Sequence, residues 1–220
     1  MNFIKIFNDG GMVMYPLLFA SILVVTLAIE RLYFWSKIGS KQKQLIRTVL
    51  DLYQNQSPLV IDRLQRERDL PIARIFMAAI SLKNPTPEAF RLAMENEAHA
   101  EIPIFRRFIN VFDATIGLAP LLGLLGTVTG LITSFGSLKI GQVGEGGSTN
   151  VVGGISEALV STASGVIVAI LASICAYLFR GLYQRQLSQI HESTGQLELI
   201  HRCRWDEERA SNKYEAIVNR

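Results

Sequence analysis

Across residues 146–179 the only charged side chain is Glu157, and the stretch that follows it, residues 158–179, is membrane-like. Placing a carboxylate in lipid costs roughly 2.5–3.5 kcal/mol on insertion scales, so a charge held there is a candidate functional group. Two readings are open from its position alone. Glu157 either serves an ion or partner inside the membrane, or sits at a helix N-terminus where the dipole favours an anion. Hydroxyls are the second polar class in the apolar stretches: Thr127, Thr129 and Thr133 in one, Ser161, Thr162 and Ser164 in another. Such groups commonly bond back to their own helix, which is uninformative. Beside a membrane carboxylate they can also line a path whose selectivity rests on oxygen dipoles and the carboxylate field.

The elements that must position these groups are membrane spans. Hydrophobic residues make up 49% of the 220, charged residues 19%, and the mean hydropathy is positive. Residues 10–29, 114–138 and 158–179 each carry no charge beyond that of their flanks. Each can cross a bilayer, which needs about 20 apolar residues in a helix. The first is longer than a signal h-region of about 7–15 residues and lacks a following A-x-A site, so it reads as an uncleaved anchor. Lys and Arg gather after the first span (Arg31, Lys37, Lys41, Lys43, Arg47), before the second (Arg91, Arg106, Arg107) and after the third (Arg180, Arg185). The positive-inside rule therefore places the N-terminus and the Gly-rich link outside, and the insert and C-terminal tail in the cytoplasm.

The expected division is a periplasmic N-terminus 1–9, span one 10–32, a cytoplasmic insert 33–112 and span two 113–138. A periplasmic link 139–153, span three 154–180 and a cytoplasmic C-terminal helix 181–220 follow. The fold class is an all-α integral membrane protein whose long helices extend into a cytoplasmic helical bundle. In the insert, Thr86-Pro87-Glu88 offers an N-cap, a Pro at the first helical position and an early acid. Pro103 is expected to kink or restart that helix, and residues 43–52 and 72–82 read as separate shorter helices. Beyond span three, Leu182, Tyr183, Leu187, Ile190, Leu197 and Ile200 keep helical spacing. Some 45 residues of continuous helix would reach roughly 65 Å. A stripe of that length needs partners to cover it.

Span two displays Ala119, Gly123, Gly126, Gly130, Ser134 and Ser137 at steps of four and three, including a GxxxG at Gly126 and Gly130. Span three displays Ala158, Ser161, Thr162, Gly165, Ala169, Ala172 and Ala176 on one arc, with Glu157 at its edge. Such faces allow close helix contact in membranes, and ordinary tight packing accounts for most of them. The glycine-rich segments lack the Lys-Ser/Thr of a P-loop, and no G-x-S-x-G, H-E-x-x-H or C-x-x-C occurs. No catalytic site, cofactor or metal site is expected. Cys175 and Cys203 offer no disulfide framework. His99, His191 and His201 lack metal-site spacing and read as solvated. The net charge of +3 is accounted for by the membrane flanks, with no nucleic-acid surface.

Two motifs then carry a resemblance. Residues 119–135 contain Ala119-Pro120, Gly123-Leu-Leu-Gly126-Thr127 and Gly130, similar to the P-x-x-G-L-x-G-T-V-x-G span of the MotA/TolQ/ExbB family. Gly154-Ile-Ser-Glu157, followed by Thr162 and Gly165, resembles the family's G-I-x-E-A-L-x-x-T-A-x-G. Ile29-Glu30-Arg31-Leu32 is a weaker third match. Three spans resemble the ExbB/TolQ branch, since MotA-type members have a fourth. The resemblance implies a subunit of an ion-driven motor in a bacterial inner membrane. It implies a homo-oligomer of five copies around two copies of an ExbD/TolR-like single-span partner bearing an intramembrane Asp, acting on a TonB-like or other envelope effector. It makes Glu157, Thr127 and Thr162 the residues facing the ion path, with Gly123, Gly126, Gly130 and Gly165 packing the helices. Protons or sodium remain alternatives, as do a non-conducting scaffold and a transporter subunit. The family often has a Pro about nine residues past the Thr, where this chain has Leu171.

Overall fold

The computed structural model describes residues 10–137 and 145–218, so the expectations for the N-terminus 1–9 and for residues 138–144 of the Gly-rich link lie outside it. The described residues form six helices: α1 (Met14–Gln54), α2 (Leu59–Arg66), α3 (Pro71–Ile80), α4 (Pro87–Arg106), α5 (Ile109–Ser137) and α6 (Glu145–Val218). No strand occurs among them. Three helical stretches are long and apolar enough to cross a membrane. The protein is therefore an all-α membrane protein.

The chain divides into two compact units. One combines residues up to Leu32 with Phe108–Arg180, and holds the start of α1, all of α5 and the first part of α6. The other combines Tyr33–Arg107 with the residues from Gly181 onward.

In the second unit, α1 does not stop at the membrane end. Residues 43–52, expected as a separate helix, are the last turns of α1. No Gly or Pro falls between them and the first span except Gly39, where a side chain would meet nothing. α1 then ends in a Schellman turn: Ser57 N–H donates to Leu52 O at 2.9 Å and Gln56 N–H to Tyr53 O at 3.2 Å. Gln56 takes the left-handed conformation there, with φ of 54°. The charged stretch after it folds as α2, burying Val60 and Leu64.

Thr86 caps α4 as its sequence predicts, accepting from Ala89 N–H at 3.2 Å with Pro87 at the first position. Pro103 does not end this helix, which runs on to Arg106. The break falls at Arg107 and Phe108, the latter at φ of 68°. Glu101 is buried and pairs with Arg74 through two bonds of 2.5 and 2.6 Å. Phe76, Phe90, Met94 and Leu197 centre the core of this unit.

His201 is not a solvated surface residue: it is buried, bonded to Tyr53 Oη at 2.8 Å and to Pro85 O at 3.0 Å. Its ring stacks on Phe90 at 4.1 Å. The periodicity that marked Leu197 and Ile200 as apolar passes through position 201, so the histidine shares the packed face. His99 and His191 are exposed, as expected.

Candidate functional site: the seam between α5 and α6

Glycines let α5 and α6 approach to backbone contact. A Cβ on Gly123 would lie 3.0 Å from Ser161 O and Thr162 Cα, and one on Gly165 would lie 2.5 Å from Ala119 O. On Gly130 it would meet Gly154 O at 2.9 Å and Ala158 N at 3.2 Å. A Cβ on Gly126 would run into the Ser161 side chain. Contacts therefore pair 119 with 165, 123 with 161–162 and 130 with 154–158, the descending register of two antiparallel helices. The two small-residue stripes read from the sequence are one seam, joined at Gly154, which the sequence argument had not counted in the stripe.

Three hydroxyls converge on one carbonyl in this seam. Gly123 O accepts from Thr127 Oγ1 at 3.2 Å and from Thr162 Oγ1 at 3.1 Å, and Ser161 Oγ lies 3.4 Å away while making its shorter bond, 2.9 Å, to Ala158 O of its own helix. The Thr127 and Thr162 hydroxyls also bond directly to each other. Each hydroxyl has one proton to give. If one threonine donates to the other and the second donates to Gly123 O, lone pairs on both oxygens are left over. That is the chemistry of an oxygen ligand pair for a cation, in a stretch without charge. The remaining hydroxyls behave differently. Thr129, Thr133 and Ser164 bond only to carbonyls three or four residues back on their own helices. For them the backbone-bonded reading holds.

Glu157 lies apart from the threonine pair. Residues 150–154 are already helical, so Glu157 sits twelve residues into α6, which begins at Glu145, and not at its N-terminus. From Glu157 to Thr162 the helix turns about 140° net at 3.6 residues per turn. The two side chains thus stand on opposite edges of the arc that packs on α5. On its edge Glu157 is half-buried and lies against the start of α1. A Cβ built on Gly11 would overlap Glu157 Oε1 and lie 2.6 Å from its Cδ. Gly11 has φ of 69°, a left-handed residue three positions before α1 begins. Val13, Met14 and Leu17 continue that contact into a cluster with Ala119, Val168 and Ala169.

Gly11 was not among the residues singled out from the sequence, although a Gly10-Gly11 pair just ahead of an apolar run is a visible signal for a close backbone approach. Asp113 on α5 pairs with Arg180 on α6, their Oδ1 and Nη2 2.5 Å apart. Both residues had been read only as span flanks. Leu171, in place of the family proline, is exposed on an α6 that runs unbroken through it. Among the described residues no group of three or more His, Cys, Asp or Glu side chains is placed to hold a metal ion.

Comparison with known proteins agrees with these motifs. The model of the MotA/TolQ/ExbB proton channel family matches residues 67–192, which include α5, the seam and Glu157. An ExbB-like biopolymer transport protein of Synechocystis sp. is 49% identical over 193 residues, covering 88% of this chain and 92% of the relative. A second from the same organism is 42% identical over 91% of this chain and 80% of its own length. The biopolymer transport protein ExbB of Neisseria gonorrhoeae is 29% identical over 86% of this chain and 91% of its own. With over half its length matched by the family model and nearly half its residues shared with a full-length relative, the chain belongs to the MotA/TolQ/ExbB proton channel family.

Proposed function

We propose that this chain is the three-span subunit of an ion-driven complex in a bacterial inner membrane, energising biopolymer transport or movement in the cell envelope. Its N-terminus lies in the periplasm and its C-terminus in the cytoplasm. Thr127 and Thr162 are the hydroxyl ligands of the ion path, and Glu157 is its charged group. The observation that carries this reading is the hydroxyl pair closed over Gly123 O, between two helices that are otherwise uncharged at that depth.

The opposed placement of Glu157 and Thr162 supports an oligomer. One helix cannot present both edges to one path. A ring brings the Glu157 edge of each copy toward the threonine edge of the next, so five copies around an ExbD/TolR-like pair give every path both groups. The partner's single span supplies an intramembrane Asp, and ions crossing between it and the ring drive relative rotation. The chain itself catalyses no covalent step. Protons fit a carboxylate flanked by hydroxyls, and sodium is the alternative.

Glu157→Gln and Thr162→Val, assayed for ion-gradient-dependent function, test the reading. Both variants assemble and lose activity. Full activity in both overturns the ion path. Exchanging sodium for potassium at fixed pH leaves a proton-driven complex unaffected and stops a sodium-driven one. A non-conducting scaffold is the second reading, favoured by the packing of Glu157 on Gly11. It requires a partner span without an acidic residue.

A further inference from the structure

The start of α1 meets the seam over several turns, from Glu157 to Ala169. Gly11 lies under the Glu157 carboxylate, Gly10 faces Val160 (3.3 Å from a built Cβ), and Val13 Cβ lies 3.5 Å from a Cβ built on Gly126. Of these contacts, the one at Gly11 alone touches a charged side chain. Glu157 Oε1, Cδ and Cγ are the three nearest atoms to the position a side chain at residue 11 would take. The carboxylate therefore occupies the space a Cβ would fill. The same residue turns the chain into α1 at φ of 69°, a conformation glycine adopts without steric cost. Met14 N–H returns to Gly11 O at 3.2 Å, so the turn is tied to the first residue of the helix. This puts the carboxylate beside the N-terminal end of α1.

We propose that Gly11 is the positioning residue for Glu157: its bare backbone forms a seat that holds the carboxylate at the start of α1, away from the Thr127–Thr162 pair. The seat fixes where the carboxylate lies on the edge of α6 that helix rotation already gives it. It also makes α1, which the family model does not match, part of the device that sets where the charge resides. The consequence for ion-driven activity rests on the function proposed above; the seat itself is tested without it.

The test is the reaction of Glu157 with a hydrophobic carbodiimide, followed by mass spectrometry of the full chain in its membrane. Gly11→Ala displaces the carboxylate, and labelling at Glu157 becomes about tenfold faster, the equivalent of ~1.4 kcal/mol in seated population. Labelling at the unsubstituted rate overturns the proposal. A second variant separates displacement from strain of the left-handed turn. Glu157→Asp withdraws the carboxylate by one methylene, so in Gly11→Ala/Glu157→Asp the membrane level rises above that of Gly11→Ala alone. Turn strain would be untouched by that change, so no recovery overturns the seat. Should Gly11→Ala fail to accumulate, recovery of its level in the double variant is the deciding readout. If labelling accelerates in Gly11→Ala while Glu157→Gln keeps full activity, the seat stands and the ion-path role of Glu157 falls.

Discussion

Adding one methyl group to the seam has a sign that depends on where it is added. In Gly165→Ala the new Cβ lies 2.5 Å from Ala119 O and 3.1–3.2 Å from Gly123 Cα and N. Carbon–oxygen contacts across helix interfaces sit at about 3.3–3.6 Å, so α5 and α6 must separate by roughly 0.8 Å or more. The groups in the way are backbone, which cannot rotate aside. A gap of about 0.5–1 Å forfeits a quarter to a half of the dispersion well for every atom pair along the seam. Forced overpacking of this kind costs about 1–3 kcal/mol. Gly117→Ala in the facing span, α5, is the control, since a Cβ there meets nothing within 4 Å. Alanine is also the better helix former by about 0.8–1.0 kcal/mol, so this variant is neutral or stabilised. Reversible unfolding in mixed detergent micelles measures both. Equal effects, or a destabilisation by Gly117→Ala as large as that by Gly165→Ala, would refute the close-contact reasoning.

Other residues give outcomes of different kinds. Thr127→Val and Thr162→Val each remove a cross-helix hydroxyl bond and cost about 0.6–1.7 kcal/mol in the same unfolding assay, with the double variant costing less than the sum. In the second unit the ion pair is asymmetric, Glu101 being 5% exposed and Arg74 30%. Removing Arg74 strands a buried carboxylate and costs about 3 kcal/mol, whereas Glu101→Gln keeps one acceptor oxygen for a cation that reaches water and costs less; equal losses on thermal unfolding would contradict this. Burial pushes the Tyr53 hydroxyl above its ordinary value of 10.0, Arg204 opposing the shift and Glu208 adding to it. A raised folded value means stability that is complete below pH 10 and declines as pH rises through the folded value. Unfolding midpoints should therefore fall above pH 10, and Tyr53→Phe should flatten that decline.

Much of this was legible in the sequence because membranes impose long periodic signals. Three uncharged runs fixed the spans, and the four-and-three steps of Ala119, Gly123, Gly126 and Gly130 already described the face that packs on α6. The Thr86 cap was readable because its chemistry is local. The misreadings arose where tertiary context decides. Pro103 was tolerated because a helix still supported by packing at Glu101 and Phe105 can lose one backbone bond and continue. Residues 43–52 were cut from α1 because charges after a span look like an end, although Leu45 and Val49 carry the apolar face onward. His201 was taken as solvated because its partners, Tyr53 and Pro85, lie more than a hundred residues away. The contact of Gly11 with Glu157 spans a similar distance, and neither residue names the other in the sequence.

The central claim is that Glu157 and the threonine pair carry ions. Its most direct test is proton flux into membrane vesicles that hold the chain together with the single-span partner proposed above, under an imposed pH gradient and read by an internal pH dye. The account predicts flux with the natural chain, and none above empty vesicles with Glu157→Gln or with Thr127→Val/Thr162→Val at equal membrane levels. Undiminished flux through both variants would contradict it.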